Sequence, residues 1–336
     1  MFPFPVLLCD LGGTNCRFMA AMEAGREPEA LGKIATEDFD TFAEAVRAMR
    51  AKHELAPSSL IVCAAGPMRG RSVQLTNAAW FLDGESLARE LGLQQGLLLN
   101  DFEAQALALP GMRQEWMRKI GGGAAEPGRP QVILGPGTGL GVGALASTGK
   151  QYLALASEAG HMNFAPHGEE EIAIWSVLNR GNSRITPETL LSGSGLVRLH
   201  RARLAARSGS AGGLPGFQES DAAHITSAAL ADSASPEAAS VRHFWKLVAR
   251  FSGDMALAAF ARGGVTLAGG ILPRIAKLLD EVEFRAAFED KAPMQELMKS
   301  IPVRLLMQPD AVLHGMAAIA ANPERYALDY ETRLWV

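Results

Sequence analysis

Short apolar runs that end at glycine or at a polar residue recur along this chain and predict buried strands. Longer stretches with apolar positions at helical spacing lie between these runs and predict helices. The predicted strands cover residues 6–9, 16–22, 60–65, 96–100, 132–134, 142–146 and 264–270, and the predicted helices cover 41–50, 84–91, 102–109, 169–178, 237–261 and 311–321. Strands that alternate with helices are typical of an α/β fold.

Two glycine-rich turns follow predicted strands and share one local pattern. The first contains Asp10, Gly12, Gly13, Thr14 and Asn15, and the second contains Gly137, Thr138 and Gly139. Glycine accepts positive φ and has no Cβ, so the backbone N–H groups of such a turn can surround an anion. Two of these turns predict two lobes that close on one polyphosphate. A tight hairpin that needs glycine for its geometry alone is the alternative for either turn.

A third glycine pair, Gly269 and Gly270, ends a predicted strand and favours phosphate and nucleoside binding over the hairpin alternative. The common phosphate loop G-x-x-x-x-G-K-[ST] is absent, because segment 143–150 has five residues between its glycines and is followed by Gln151. A dinucleotide-binding fingerprint is disfavoured as well, since 142–146 predicts a strand where that motif requires a helix.

Two acidic positions stand at the ends of predicted strands. A carboxylate at Asp10 is costly to bury unless it meets a cation or hydrogen-bond donors. Mg²⁺ on a triphosphate would supply that cation, and a turn-capping aspartate is the alternative. Asn100 and Asp101 separate a strand from a helix, where Asp101 could act as the base for a hydroxyl nucleophile. Either residue could instead be a simple helix cap.

Glu158 and His161 carry a carboxylate and an imidazole, which can hold adjacent sugar hydroxyls. Their spacing would also suit a metal on one face of a helix, but the glycine between them favours a loop. A structural role for His161 stays open. Thr186, Pro187 and Glu188 predict a helix start, in which Glu188 by itself is a surface acid that stabilises the helix dipole.

The composition excludes several other classes of function. The chain has 336 residues, enough for two packed lobes, with 48% hydrophobic and 20% charged residues. Its net charge of −4 gives no support for binding nucleic acid or a membrane surface. No apolar run approaches the roughly 20 residues of a membrane span, and the first residues lack the pattern of a signal peptide. Three cysteines without a C-x-x-C pair favour the reducing cytoplasm over a disulfide framework or a structural zinc site.

Together these motifs resemble those of the bacterial ATP-dependent glucokinases, in the fold group of sugar kinases, Hsp70 and actin. The resemblance runs along almost the whole chain. Its motifs are DLGGTNCR at 10–17, TNAAW at 76–80, LLNDFEAQALALP at 98–110, GPGTGLGV at 135–142, SEAGHMNFAP at 157–166, TPETLLSGSGLVRLHRA at 186–202, GGVTLAGGILPR at 263–274 and FRAAFEDK at 284–291. Small departures from the family pattern occur at Cys16, Pro136, Ser157 and Ala159, and Ala159 would add a methyl group beside the sugar ligands.

The resemblance implies a role for each candidate residue. Asp101 would accept the proton of the 6-hydroxyl of the sugar. The residues that would hold the sugar are Asn77, Asn100, Asp101, Glu158, His161 and Glu188. Asp10, Gly12, Gly13, Thr14 and Asn15 would line the first phosphate loop, Gly137, Thr138 and Gly139 the second, and Gly269 and Gly270 would lie against the adenosine. Mg²⁺ would arrive with ATP, near Asp10, and would not be fixed by the protein alone.

The resemblance therefore implies a two-lobed α/β fold with a ribonuclease-H-like, mixed sheet in each lobe. The small lobe would comprise residues 1–110 plus 302–322, and the large lobe residues 111–301. The implied activity is transfer of the γ-phosphoryl group of ATP to the 6-hydroxyl of glucose by a homodimer. A kinase for mannose or an N-acetylated amino sugar is one alternative. A non-catalytic sugar sensor is another, although an intact Asp101 and both phosphate loops argue against it.

Overall fold

Two six-stranded sheets form the framework of the chain in this computed structural model, which describes residues 2–66, 68–75, 80–178, 184–208 and 219–335. The strands are β1 Val6–Leu11, β2 Asn15–Ala21, β3 Glu29–Ala35, β4 Ser59–Ala64, β5 Met68–Arg69, β6 Ser72–Gln74, β7 Phe81–Asp83, β8 Gln95–Asn100, β9 Met117–Gly121, β10 Gln131–Pro136, β11 Leu140–Ser147, β12 Tyr152–Ser157, β13 Gly264–Leu267, β14 Val303–Leu306 and β15 Leu334–Trp335. The helices are α1 Phe42–Lys52, α2 Gly84–Leu91, α3 Asp101–Ala108, α4 Gly168–Leu178, α5 Pro187–Leu190, α6 Gly193–Ser208, α7 Glu219–Ala231, α8 Pro236–Ala258, α9 Glu281–Glu289, α10 Gln295–Ser300, α11 Ala311–Ala321 and α12 Tyr330–Arg333.

The first sheet has the strand order β15-β8-β4-β1-β2-β3. Strands β1, β4 and β8 are parallel, whereas β2, β3 and β15 run antiparallel to their neighbours. Every residue of β4 is buried, and most of β3 is exposed, because β4 lies inside the sheet and β3 at its edge. A continuous apolar run is typical of an inner strand, so the sequence predicts β4. The edge strand β3 has no such run and is not predicted.

The second sheet has the strand order β12-β11-β10-β13-β14-β9. Strands β10, β13 and β14 are parallel, and β9 runs antiparallel to β14. A small antiparallel sheet of β5, β6 and β7 completes the described strands. Both large sheets are therefore mixed, as predicted, and the predicted α/β fold class is confirmed.

The chain divides into two compact units. The first comprises residues 1–116, 143–156 and 308–336, and the second comprises residues 117–142 and 157–307. The predicted lobes assigned 143–156 to the large lobe and left 323–336 unassigned. In the first unit, α11 packs against α3 and β1, and Gly315 permits this because an added Cβ would lie 2.2 Å from the Ala108 Cβ.

Helix boundaries follow the capping residues. Thr41 and Glu44 form a capping box at the start of α1. Asn100 caps α3, which therefore begins at Asp101, one residue earlier than predicted. The α-helical part of α3 ends before the short 3-10 turn that contains Pro110. Within the described ranges, no helix combines the length and the hydropathy needed to span a membrane.

A buried acid organises the helical layer of the second unit. Glu171 on α4 is fully buried, pairs with Arg250 on α8, and accepts a hydrogen bond of 2.8 Å from the His167 N–H. Its Oε1 atom lies 3.9 Å from Nε2 of His243, and neither atom has a hydrogen-bond partner in the described part of the chain. Burial lowers the pKa of His243 to about 4, against the opposing charge of Glu170. His243 is therefore neutral at pH 7.

We expect the protein to become less stable as the pH falls, because of His243. Its pKa in the folded state lies below the unfolded value of 6.5, so the unfolded chain binds the proton more readily. The contribution of neutral His243 is complete above about pH 6.5 and is lost as the pH falls toward 4, by roughly 3 kcal/mol. Urea unfolding of wild type and His243→Gln between pH 7 and pH 4 measures this, and the variant should lose less stability. Parallel pH curves for the two proteins would contradict the assignment.

Candidate functional site

The carboxyl ends of β1, β4 and β8 lie side by side and bring together three of the predicted site residues. The parallel register sets Asp10 beside Cys63, and Ala64, the next residue, beside Asn100. Neighbouring strands are about 4.8 Å apart, so the backbones at Asp10 and Asn100 are separated by two strand spacings, roughly 10 Å. Asp101 follows directly on the same edge. Carboxyl ends of parallel strands are the usual place for ligands in α/β folds.

Asn100 and Asp101 are fixed by the first turn of α3. Asn100 Oδ1 accepts hydrogen bonds from the N–H groups of Phe102, at 3.0 Å, and Glu103, at 3.2 Å. Asp101 Oδ1 accepts from the Phe102 N–H at 2.9 Å. The helix-cap alternative is thus confirmed for Asn100. The same contacts hold the half-buried Asp101 carboxylate at the N-terminus of the helix.

Asp10 already has a cation within the protein. Its Oδ2 atom pairs with Arg17 on β2, and Arg17 also reaches Asp310 Oδ1, at 3.4 Å, and the Pro309 carbonyl. Burial works to lower the pKa of Arg17, but Asp10 and then Asp310 outweigh it, and the pKa is raised. The guanidinium is therefore charged. Arg17 compensates the charge of the Asp10 carboxylate. The burial of this carboxylate therefore no longer indicates a bound Mg²⁺ ion.

Cys63 links the two acidic positions of this edge. Its thiol donates a hydrogen bond of 3.4 Å to Asp10 Oδ1. Burial raises the pKa of Cys63 well above its usual value, and the charges of Asp10 and Asp101 add to the effect. Cys63 is therefore a neutral donor that holds the Asp10 carboxylate, and it has no thiolate character.

The first glycine turn is the tip of the hairpin between β1 and β2. The Gly12 N–H donates to the Asn15 carbonyl at 3.0 Å, and Thr36 Oγ1 donates to the Gly13 carbonyl at 3.0 Å. The hairpin alternative therefore describes its backbone correctly. Gly12, Thr14 and Asn15 are exposed, so the tip can meet a ligand as well.

Three side chains of the predicted sugar-binding set lie together in the second unit. His161 Nε2 is 3.8 Å from Glu158 Oε2, and His161 Nδ1 is 3.9 Å from Glu188 Oε1. These distances are too long for hydrogen bonds. Glu158 is 89% exposed, His161 is 53% exposed and Glu188 is 33% exposed. Two carboxylates and an imidazole thus face solvent around one point, which suits a polyhydroxylated ligand.

The second glycine turn holds Glu188 in place. Glu188 Oε2 accepts a hydrogen bond of 2.9 Å from the Leu140 N–H, and a Cβ added at Gly139 would lie 2.5 Å from the same oxygen. Gly160 packs against the Leu140 carbonyl, where an added Cβ would lie 2.4 Å away. The predicted surface role of Glu188 is therefore incomplete, because its carboxylate joins helix α5 to the turn. Gly139 is needed for that contact whatever else the turn binds.

Four further glycines form two pairs with different environments. Gly135 and Gly269 meet the facing backbone, with added Cβ atoms at 2.4 Å from the Ala268 carbonyl carbon and the Pro136 oxygen. Gly269 also has a φ of +85°, which favours glycine. Gly137 and Gly270 have open space instead, with no described atom within 4 Å of an added Cβ. The Gly137 N–H already donates to the Gly139 carbonyl at 2.8 Å, and the Gly137 carbonyl accepts from the Gly193 N–H at 2.9 Å. The open space beside Gly137 and Gly270 still leaves room for a phosphate or a nucleoside.

Neither unit contains a described cluster that would hold a metal ion. Within the described ranges, no three His, Cys, Asp or Glu side chains are grouped suitably. Asp10 is paired with Arg17, whose positive charge opposes a bound cation. The residues present therefore do not fit a Mg²⁺ ion held by the protein itself.

Several contacts at these sites were not predicted. Asn77 lies outside the described residues, so the structure gives no position for it. Arg17 stands in the DLGGTNCR motif, and its position beside a carboxylate could have been found from the alternation along β2. No sequence signal indicates the ion pair between Glu103 and Arg333, because 230 residues separate the two.

Comparisons with known proteins match almost the whole chain. A model of the glucokinase family matches residues 7–323. The chain is 42% identical to a glucokinase of Sinorhizobium medicae over 337 aligned positions, which cover 99% of this chain and 97% of that protein. A glucokinase of Rhizobium meliloti matches with the same identity and coverage. The chain belongs to the glucokinase family.

Two solved glucokinase structures share the fold. A glucokinase from an Antarctic psychrotroph is 29% identical, with a TM-score of 0.82, and the match covers 95% of this chain and 100% of that one. A ROK family glucokinase from Streptomyces griseus, solved in complex with glucose and AMPPNP, has the same fold at 21% identity and a TM-score of 0.61, over 95% of this chain and 100% of that one.

One departure from the glucokinase pattern is explained by burial. Ala159 follows Glu158, where the added methyl group was expected to stand beside the sugar ligands. Its side chain is only 5% exposed, whereas Glu158 and His161 on either side face solvent. The methyl group therefore packs inward. Cys16 is also fully buried and takes no place on the exposed tip of the first turn.

Proposed function

We propose that this chain transfers the γ-phosphoryl group of ATP to the 6-hydroxyl of D-glucose and forms glucose 6-phosphate. The observation that carries the proposal lies in the first unit. The exposed turn 12–15 and the Asp101 carboxylate stand at the same edge of the first sheet, where the parallel strands β1, β4 and β8 end. Phosphoryl transfer needs phosphate-binding backbone and a group that aligns the attacking oxygen, and this edge offers both.

Asp101 is the proposed base. The transition state of phosphoryl transfer is loose, so little proton transfer is needed early and alignment of the hydroxyl matters most. Asp101 Oδ1 is fixed by the Phe102 N–H, which sets the direction of the carboxylate before the sugar binds. The carboxylate would accept the proton of the 6-hydroxyl as the bond to phosphorus forms.

The sugar contacts are proposed for Asn77, Asn100, Glu158, His161 and Glu188. Carboxylates accept hydrogen bonds from hydroxyl groups, and the imidazole and amide groups can both donate and accept. Glu158, His161 and Glu188 already face solvent around one point, so few side chains need to reorder on binding.

The nucleotide contacts are proposed for the glycine turns. Gly12, Gly13, Thr14 and Asn15, with Asp10 behind them, would receive phosphate in the first unit; Gly137, Thr138 and Gly139 would do so in the second, and Gly269 and Gly270 would meet the adenosine. Mg²⁺ would arrive as the complex with ATP, in which phosphate oxygens and water are its ligands. The ion lowers the negative charge of the phosphates when bound.

We also propose that the enzyme acts as a homodimer in the cytoplasm, at the entry to glycolysis. The three cysteines support the compartment, because all are free thiols and buried. The dimer rests on family likeness alone.

A coupled assay of ADP release tests the proposed activity. With Mg-ATP, glucose should give rapid turnover, and mannose and N-acetylglucosamine much slower turnover. Preferred turnover of another sugar would replace glucose as the substrate. Glucose binding by calorimetry without ADP release from any sugar would establish the sugar sensor instead.

Asp101→Asn should keep the fold and lower kcat by roughly 10²- to 10⁴-fold, because the amide can align the hydroxyl but cannot accept its proton. Asp83→Asn is the matched control, since Asp83 caps α2 through the Ser86 N–H at 3.0 Å and asparagine caps equally well. Steady-state kinetics with both substrates measures the effect. Turnover within a few-fold of wild type in Asp101→Asn would remove Asp101 as the base.

Two glycine variants should separate the sugar contacts from the nucleotide contacts. Gly139→Ala should raise the KM for glucose in addition to any effect on the KM for ATP, because its methyl group would displace the Glu188 carboxylate. The methyl group of Gly137→Ala meets no described protein atom and would enter the open space proposed for phosphate, so this variant should change the KM for ATP alone. Equal effects of both variants on the two KM values would contradict this division.

A further inference from the structure

Segment 329–335 adds a strand to the sheet that carries Asp101, and it lies beyond the residues matched by the family model. Within it, β15 pairs antiparallel with β8, Leu334 beside Leu97 and Trp335 beside Gly96. β8 is the strand that ends at Asn100. The segment is thus hydrogen-bonded to the strand that leads into the proposed base.

Trp335 anchors this segment. Its side chain is fully buried, and its ring lies over two glycines, where Cβ atoms added at Gly84 or Gly96 would each be 2.5 Å from a ring carbon. Such close packing fixes the ring between the start of α2 and β8. Two polar contacts hold the residues before it: Thr332 Oγ1 donates to Asp329 Oδ2 at 2.6 Å, and the Tyr330 hydroxyl donates to the Pro323 carbonyl at 2.9 Å.

Arg333 carries the contact from this anchored segment to α3. Its Nη1 atom donates to Glu103 Oε1 at 2.7 Å. The other oxygen of Glu103, Oε2, accepts from the Asn100 N–H at 3.3 Å and closes the capping box of α3. Glu103 is only 7% exposed, so its carboxylate needs both partners. A single side chain therefore separates Arg333 from the residue before Asp101.

We propose that segment 329–335 positions the active site, with Arg333 holding Glu103 and Glu103 holding the turn that directs Asp101. Arg333 is a positioning residue, since it contacts Glu103 and has no part in the chemistry. The proposal rests on the proposed role of Asp101. Loss of Arg333 leaves a buried carboxylate without its cation, and that carboxylate moves toward water and releases the Asn100 N–H. Misalignment of a reacting group lowers kcat, while nucleotide binding at the glycine turns is unaffected.

Arg333→Met should therefore lower kcat for glucose about tenfold and leave the KM for ATP within about twofold. Arg333→Lys should restore part of the rate, because an ammonium group can still pair with Glu103. Arg325→Met is the matched control. Arg325 lies over the Tyr152 ring at 5.6 Å, and the variant removes a guanidinium group from the same region of the chain.

A double-mutant cycle distinguishes positioning from general loss of stability. Glu103→Gln alone places a neutral amide beside Arg333 and removes the ion pair, so its kcat should also be lower than that of wild type. In the double variant Arg333→Met, Glu103→Gln, the neutral amide can accept from the Asn100 N–H without a cation, so kcat should exceed that of either single variant. Additive losses, or a loss in Arg325→Met equal to that in Arg333→Met, would overturn the proposal. Wild-type kcat in folded Arg333→Met would do the same.

Hydrogen exchange gives a readout that does not depend on activity. In Arg333→Met the peptide that covers 100–108 should exchange faster than in wild type, and in Arg325→Met it should not. If wild type phosphorylates no sugar, the proposed function fails, and this exchange difference still decides whether Arg333 holds α3. Equal exchange in wild type and Arg333→Met would overturn the positioning role even in an active enzyme.

Discussion

The parallel pairing of β1, β4 and β8 is the constraint on which the rest of the first unit depends. Its register sets Asp10 one strand away from Cys63 and places Asn100 at the same edge. A shift of one residue in any of these strands would turn the side chains to the opposite face. The inner strands are almost entirely apolar, so burial fixes the register, and the register in turn places the polar residues. The chemistry of this edge therefore follows from hydrophobic packing several residues away.

The polar residues of this edge contact one another before any ligand arrives. Arg17 provides the charge that Asp10 requires, Cys63 adds a weak donor, and the backbone of α3 holds Asp101. In the second unit, the Leu140 N–H holds Glu188 in the same way. Side chains held by protein contacts lose little further freedom when they bind a ligand. The second turn also shows that a glycine-rich turn can have two purposes, since Gly139 makes room for the Glu188 side chain while the space beside Gly137 stays empty.

Much of the fold could be predicted from the sequence where a pattern is local. The apolar runs of β1, β4 and β8 and the cap of α3 are local patterns, and they located Asp10, Asn100 and Asp101 at strand ends. Edge strands such as β3 alternate too weakly, and β15, with two residues, is too short to give a periodic signal. For Asp10 the sequence predicts either a Mg²⁺ ion on a triphosphate or a turn-capping role, because it shows that a buried carboxylate needs a cation or donors but does not show which group comes near. Long-range pairs such as Glu103 with Arg333 depend on the finished fold.

The ring of Trp335 ties three distant positions of the sequence into one unit of selection. Gly84 and Gly96 have ordinary backbone angles, so local conformation does not require glycine at either position. Glycine is required there because the indole ring occupies the space of a side chain. A larger residue at position 84 or 96 requires a smaller residue than Trp at position 335. Conversely, loss of the indole leaves a cavity that larger residues at 84 and 96 can fill. These three sites are therefore expected to co-vary among descendants of this chain, as a size-complementary set.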